Sequence, residues 1–246
     1  MKNKDEIIVY WAPGLTQSAF HLNYKEPEPV IKELRQLGHN LIHPDNNASN
    51  FLKCPAVLNS TKNTFAIASP AGVKIKWDGS NISTPEHDQE FFDKWFFARN
   101  TSTGFLSFNL CKYIFFTEEP SLIIKQKSAV YTNNDFTKKI GIIEGSFDIG
   151  QWIRPLDIGL YFKEPEIVNI NIDDMLYYLE FVTDKRIIFK KFYYTPALKD
   201  MYETCVSVRN TKKFPIKTYF EDMYLLFNQS KMKKRILKEI KDNLLE

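Results

Sequence analysis

Four residues have the types and the order of a metal-dependent oxidation site. His43 and Asp45 form a His-x-Asp pair, and His87 follows further along the chain. Two histidines and one carboxylate are the ligands that hold Fe(II) in non-haem oxygenases. Arg99 comes shortly after, and its planar guanidinium can bind a carboxylate such as that of 2-oxoglutarate. One hypothesis is therefore an Fe(II)/2-oxoglutarate-dependent oxygenase, with His43, Asp45 and His87 as metal ligands and Arg99 as the cosubstrate contact.

The elements predicted around these residues favour a simpler interpretation. That oxygenase family places a strand-rich core before its first ligand, whereas the chain before His43 predicts one strand and one helix. His43 lies in a polar, turn-rich segment, and His87 lies at the start of a predicted helix. The alternative is that both histidines are solvated and that the chain takes no cofactor.

A cationic segment near the C-terminus is the second candidate site. The candidate contacts are Lys231, Lys233, Lys234, Arg235 and Lys238, and Lys241 follows them. On one helix such residues could contact the phosphates of a nucleic acid, or an acidic protein partner. The alternative is structural, because the macrodipole favours cations in the C-terminal half of a helix, where they also keep the exposed face soluble. We therefore expect nucleic acid to be an allowed partner but not the favoured one.

Aromatic residues are dense enough to suggest a contact surface. They include the segment FFDKWFFARN at 91–100 and the pairs Tyr177-Tyr178 and Tyr193-Tyr194. Such rings could stack on bases. Strand alternation predicts that one member of each pair is buried and the other exposed, so we expect a core with scattered surface rings. A contiguous exposed patch would instead indicate self-association or a protein partner.

Other catalytic chemistry is not indicated. Cys54, Cys111 and Cys205 are odd in number and far apart, which argues against a disulfide framework and a metal clip and predicts core thiols. The nine glycines form no phosphate-binding loop. The formal net charge of +3 is too small to imply nucleic acid or an anionic membrane by itself.

The hydropathy pattern predicts a cytoplasmic protein without a membrane partner. No window approaches the roughly 18 continuous apolar residues that a membrane span needs. The apolar run at 7–11 is too short for a secretory signal peptide.

The elements that must position these residues indicate an α+β fold. The run IIVYW at 7–11 predicts an N-terminal strand, and apolar residues at helical spacing over 27–37 predict a helix. Alternating residues on both sides of 69–72 predict a hairpin. Evenly spaced strand-like runs between 140 and 194, IGIIEGSF among them, predict an antiparallel β-sheet or sandwich core.

The C-terminal segment is predicted to be helical. After Pro196 the pattern changes, and the last helix has an apolar stripe of Met232, Ile236, Ile240 and Leu244, with Ser230 as its N-cap. No linker or repeat divides the chain. We predict a single domain over 1–246, with a mostly β core and short helices in 1–194 and a helical annex in 195–246.

Three fragments carry a family resemblance: FLKCPAVLNSTKNTFAIASP, FDIGQWIRPLDIGL and MLYYLEFVTDKRIIFKKF. Together they resemble segments of proteins of uncharacterised function encoded by tailed phages, marine ones in particular, in the same order along the chain. The resemblance implies a phage-encoded protein that works in the host cytoplasm. It brings no catalytic residue with it.

The preferred functional hypothesis is a non-enzymatic binding or assembly protein. It depends on the scarcity of histidine and glycine and on the lack of a nucleophile, metal or phosphate motif. The iron oxygenase and a nucleic-acid-binding protein that uses the cationic helix stay open as alternatives.

Overall fold

The computed structural model describes residues 5–14, 22–40, 52–211, 227 and 231–245; for 37–40, 98–100 and 205–211 it describes the backbone only. The strands in this part of the chain are β1 (Glu6–Pro13), β2 (Glu28–Pro29), β3 (Thr64–Ala68), β4 (Val73–Trp77), β5 (Ile82–Ser83), β6 (Phe96–Asn100), β7 (Phe105–Thr117), β8 (Ile123–Ser128), β9 (Ile140–Ile143), β10 (Gly145–Asp148), β11 (Pro155–Phe162), β12 (Ile167–Ile170), β13 (Met175–Phe181) and β14 (Arg186–Lys191). The α-helices are α1 (Val30–Asn40), α2 (Pro55–Thr61), α3 (Gln89–Trp95), α4 (Asp135–Lys139), α5 (Pro196–Thr211) and α6 (Met232–Asp242).

The strands form three sheets. The first has six strands in the order β14-β1-β7-β11-β9, with β6 also paired to β7. The second has the order β10-β8-β13-β3-β2, and the third has the order β12-β4-β5. Every pairing between these strands is antiparallel except that of β1 with β14, which is parallel. The prediction of an α+β fold with antiparallel sheets, an N-terminal strand and a C-terminal helix is confirmed.

One buried cluster joins all three sheets. Val9 and Phe115 of the first sheet, Ile67 and Leu179 of the second and Ile75 of the third belong to it, and each is fully buried. Strand alternation explains the arrangement, since every second side chain of a strand points to the same face. The core therefore lies between the inner faces of the sheets.

Helices cover part of the outer faces. Against the second sheet, Val30 of α1 packs in a small cluster with Ala66 and Tyr178. On the first sheet, Tyr10 and Phe116 belong to another buried cluster together with residues of α5 and α6. Both faces of these strands are thus shielded, which explains long apolar runs that do not alternate.

Another part of the first sheet's outer face is open. A cross-strand row runs from Ile143 through Gly159 and Ser107 to Phe97. Ile143 is 39% exposed and Phe97 is 54% exposed, and Tyr161 in the next row is 42% exposed. Among the described residues, this open face therefore carries two exposed aromatic side chains, Phe97 and Tyr161, on neighbouring parts of one sheet.

Several predicted connections are wrong. The hairpin over 65–77 is not formed, because β3 pairs with β13 and β4 pairs with β12 in another sheet. The run IGIIEGSF is two strands in two sheets, since the chain crosses between them at Glu144. Turn residues mark a change of direction, but they do not say which strand is the next partner.

Two predicted helices are present at the expected places, but their first and last residues differ from the prediction. The helix over 27–37 begins later, at Val30, and runs to Asn40. The last helix has Lys231 at its N-cap, while Ser230 lies outside the described residues, and Leu244 lies beyond the helix end. The apolar stripe is otherwise confirmed, because Met232, Ile236 and Ile240 are buried.

The tyrosine pairs also differ from expectation. Tyr177 and Tyr178 are both buried, at 0% and 3% exposure, because the second sheet is covered on both faces at that point. Tyr193 is 48% exposed and Tyr194 is 5% exposed, as alternation predicts.

Candidate cationic binding surface

The residues of the oxygenase hypothesis are only partly described. His43 and Asp45 lie outside the described residues, and Arg99 lies in β6, but only its backbone is described. The ring of His87 is exposed and stacks on Phe91, with 3.9 Å between the ring centroids. In the described part of the chain no group of three or more His, Cys, Asp or Glu side chains could hold a metal. The oxygenase stays an untested prediction.

The cationic segment forms one side of α6. Met232, Ile236 and Ile240 are buried against the first sheet. Lys231, Lys234, Arg235 and Lys238 are exposed and stand at positions i, i+3, i+4 and i+7. At 3.6 residues per turn this spacing places the four cations in one stripe of about 100°. Four of the five predicted contact residues thus share one solvent-facing surface, which we call the cationic stripe.

The charged groups of the cationic stripe have no partner in the part of the chain that the structure describes. None of the four makes an ion pair or a side-chain hydrogen bond within the described ranges. Lys241, one turn further on, differs because its Nζ lies 2.6 Å from Glu118 Oε1. Within the described residues, the stripe therefore presents to solvent positive charges that no ion pair neutralises.

Lys233, the fifth predicted contact, is bound by the protein itself. Its Nζ donates to the Gly150 carbonyl oxygen at 2.6 Å and lies 3.5 Å from the Glu119 carbonyl oxygen. Burial lowers the pKa of Lys233, an effect that the charges of Asp148, Glu118 and Glu119 oppose. This side chain fixes the first turn of α6 to the loop 149–154, which joins β10 to β11.

Several cations of the stripe lie at the N-terminal end of α6, where positive charge destabilises a helix. Because α6 begins at Met232, Lys231, Lys234 and Arg235 lie in or beside its first turn, which contains no acidic residue and no side-chain cap. The positive end of the helix macrodipole disfavours cations there, generally by about 0.3–1 kcal/mol for each charge. Lys231 also has a left-handed backbone, with φ of 56°. The macrodipole part of the structural alternative therefore does not apply to these three residues, whereas their exposure agrees with its other part, a soluble helix face.

Polar contacts connect α6 to the first sheet and to the start of α5. The Tyr10 hydroxyl donates to Glu118 at 3.1 Å, and Glu118 also pairs with Lys241 of α6. At the start of α5 the Thr195 hydroxyl donates to Glu239 of α6 at 2.8 Å. The helix that carries the stripe therefore has polar contacts to the first sheet and to the start of α5.

Sequence reasoning missed the loop 149–154 that seats α6. Asp148 is 7% exposed, and its Oδ1 accepts from the Gly150 N–H at 2.7 Å and the Leu122 N–H at 3.2 Å. Its Oδ2 accepts from Gln151 Nε2 at 2.8 Å. The Asp148-x-Gly150 spacing was a detectable signal, because aspartate commonly accepts from the backbone two residues on.

Comparison with known proteins finds no match to the chain among protein-family models, curated proteins or solved structures. Within the residues that the structure describes, no helix is long and apolar enough to cross a membrane.

Proposed function

We propose that the chain is a non-enzymatic binding protein that engages a polyanion, with nucleic acid as the partner class, through the cationic stripe of α6. The carrying observation is the set of four cations, Lys231, Lys234, Arg235 and Lys238, on one exposed side of an anchored helix, none of them ion-paired within the described residues. The phosphate backbone is recognised mainly through such side chains. Phage origin and action in the host cytoplasm are part of the same proposal and are supported by the sequence resemblance alone.

The electrostatic cost of the stripe supports this function. Cations at the positive end of a helix oppose folding, so their presence is better explained by an anionic partner than by stability. The net charge of +3 is low, which means that the attraction is local to α6 and is not a property of the whole surface.

Fluorescence anisotropy with a labelled single-stranded oligodeoxythymidylate tests the proposal. Each phosphate contact to a single strand contributes about −0.7 to the slope of log K against log salt, so four contacts predict a contribution of about −2.8. The double variant Lys234→Glu with Arg235→Glu should abolish binding. The matched control is Lys125→Glu with Lys190→Glu, which changes the charge equally on exposed strand positions. Equal loss in both variants, or no binding by the unaltered protein, contradicts the proposal.

Assembly through the open part of the first sheet is the second candidate. The exposed side chains of Phe97, Ile143 and Tyr161 on adjacent strands favour it. Ile143→Lys should then lower the mass measured by sedimentation velocity at high protein concentration. Ile172→Lys is the control, because Ile172 is 55% exposed outside this face. A monomer at all concentrations sets this candidate aside.

A further inference from the structure

Arg154 lies on the loop 149–154, which contacts α6. The preceding residue, Ile153, belongs to the same buried cluster as Met232 and Ile236 of α6. Gly150, at the other end of the loop, accepts the hydrogen bond from Lys233. Arg154 is therefore carried by the same segment on which the first turn of α6 rests.

The guanidinium of Arg154 is held in place by two aromatic rings. Its Cζ lies 5.1 Å from the centroid of the Trp152 ring and 5.6 Å from that of Phe147. Its Nε donates to the Pro155 carbonyl oxygen at 3.3 Å. Cation–π contacts of this kind orient the flat face of a guanidinium. The side chain is half-buried, so much of its rotamer freedom is already lost.

The two outer nitrogens of Arg154 are the groups that could bind a partner. No ion pair and no hydrogen bond engages Nη1 or Nη2 within the described residues. Two such nitrogens are the pair that binds two phosphate oxygens in parallel. A lysine ammonium binds phosphate as a point charge and cannot reproduce this geometry.

We propose that Arg154 is a further binding residue that holds one phosphate of the partner bidentately, from the loop that Lys233 of α6 contacts at Gly150. This inference rests on the proposed polyanion-binding function. The cationic stripe would attract the phosphate backbone whatever the base sequence. Arg154 would add one contact of fixed geometry that depends on the shape of the guanidinium.

Replacing Arg154 by Lys separates shape from charge. Binding of the oligodeoxythymidylate by Arg154→Lys should weaken about tenfold, because one bidentate charged contact becomes a single one. The salt slope should stay unchanged, since the charge is the same, whereas Arg154→Ala should also reduce the slope by about 0.7. Arg186→Lys is the matched control, because Arg186 is exposed on β14 and lies 3.7 Å from its only acidic partner among the described residues, Glu6.

Chemical protection in the unaltered protein gives a second measurement that does not depend on folding of a variant. Bound oligonucleotide should slow modification of Arg154 by phenylglyoxal severalfold, read by peptide mass spectrometry, and should leave Arg186 unchanged. If the protein binds but Arg154→Lys binds equally well and Arg154 is not protected, the inference is wrong and the proposed function stands. If the unaltered protein does not bind at all, both are wrong.

Discussion

Lys233 and Lys234 are neighbours in sequence, but replacing each by Met should affect different properties. Lys233→Met should lower stability, and Lys234→Met should weaken binding. Lys233→Met removes the charged donor that lies 2.6 Å from the Gly150 carbonyl oxygen, and Gly150 is buried. Lys234→Met removes an exposed ammonium that has no partner in the described part of the chain. The pair therefore separates anchoring of α6 from binding of a partner.

The magnitude follows from the hydrogen bond and from burial. Loss of a hydrogen bond to a charged group, with a buried carbonyl left unpaired, destabilises a protein by about 1.5–3 kcal/mol. Relief from burying an ammonium offsets part of this loss. We expect Lys233→Met to lower the free energy of unfolding by about 1–2 kcal/mol, which corresponds to roughly 2–8 °C in Tm for a chain of this size. Lys234→Met should change the free energy of unfolding by less than about 0.5 kcal/mol.

Urea unfolding followed by tryptophan fluorescence measures the two stabilities, and the oligonucleotide assay measures the two salt slopes. Lys233→Met should unfold at a lower urea midpoint and keep the slope of the unaltered protein, provided that α6 stays in place. Lys234→Met should keep the midpoint and lose about 0.7 of the slope. The reasoning fails if Lys234→Met is the less stable variant, or if only Lys233→Met changes the slope.

Three further perturbations test the support of the surface. Gly150→Ala should lower the urea midpoint by the equivalent of about 1–3 kcal/mol, because an added Cβ would lie 2.1 Å from a backbone carbonyl oxygen; Gly141→Ala should cost less, since its Cβ meets only the end of the Tyr161 ring. Burial, together with a neighbouring glutamate, raises the pKa of Tyr10 from 10.0 to about 12. The raised pKa of Tyr10 therefore contributes to the free energy of unfolding fully below pH 10, and this contribution is lost as the pH rises through about 12. Tyr10→Phe should reduce that loss, measured by alkaline unfolding followed by circular dichroism. Ile236→Ala, at a fully buried position, should destabilise by about 2–5 kcal/mol, measured by thermal unfolding.

Local patterns in the sequence were sufficient for much of the fold. The run at 7–11 identified β1, and the i+4 spacing of Met232, Ile236 and Ile240 identified the buried side of α6. These signals depend on residues close together in the chain. Strand partners depend on distant residues, which is why the parallel pairing of β1 with β14 could not be predicted.

The sequence predicted which residues make up the candidate surface, but not which of them face solvent and which contact the protein itself. The sequence identified all five cations, yet it did not separate Lys233 from the stripe. A signal was present, because Lys233 stands three residues before Ile236 and seven before Ile240, on the border of the buried side. Arg154 was missed, since its position depends on rings at Phe147 and Trp152 whose approach is set by tertiary packing.

The parallel pairing of β1 with β14 has a consequence for how the chain is made. β1 lies between β7 and β14 in the first sheet, so its second neighbour is synthesised only when residues 186–191 appear. During translation one edge of β1 therefore stays unpaired until β14 is made. An unpaired strand edge can associate with other chains. Pairing across such a sequence separation is also slow to form. We expect chains that stop before residue 186 to aggregate, because β1 then lacks the partner for its second edge.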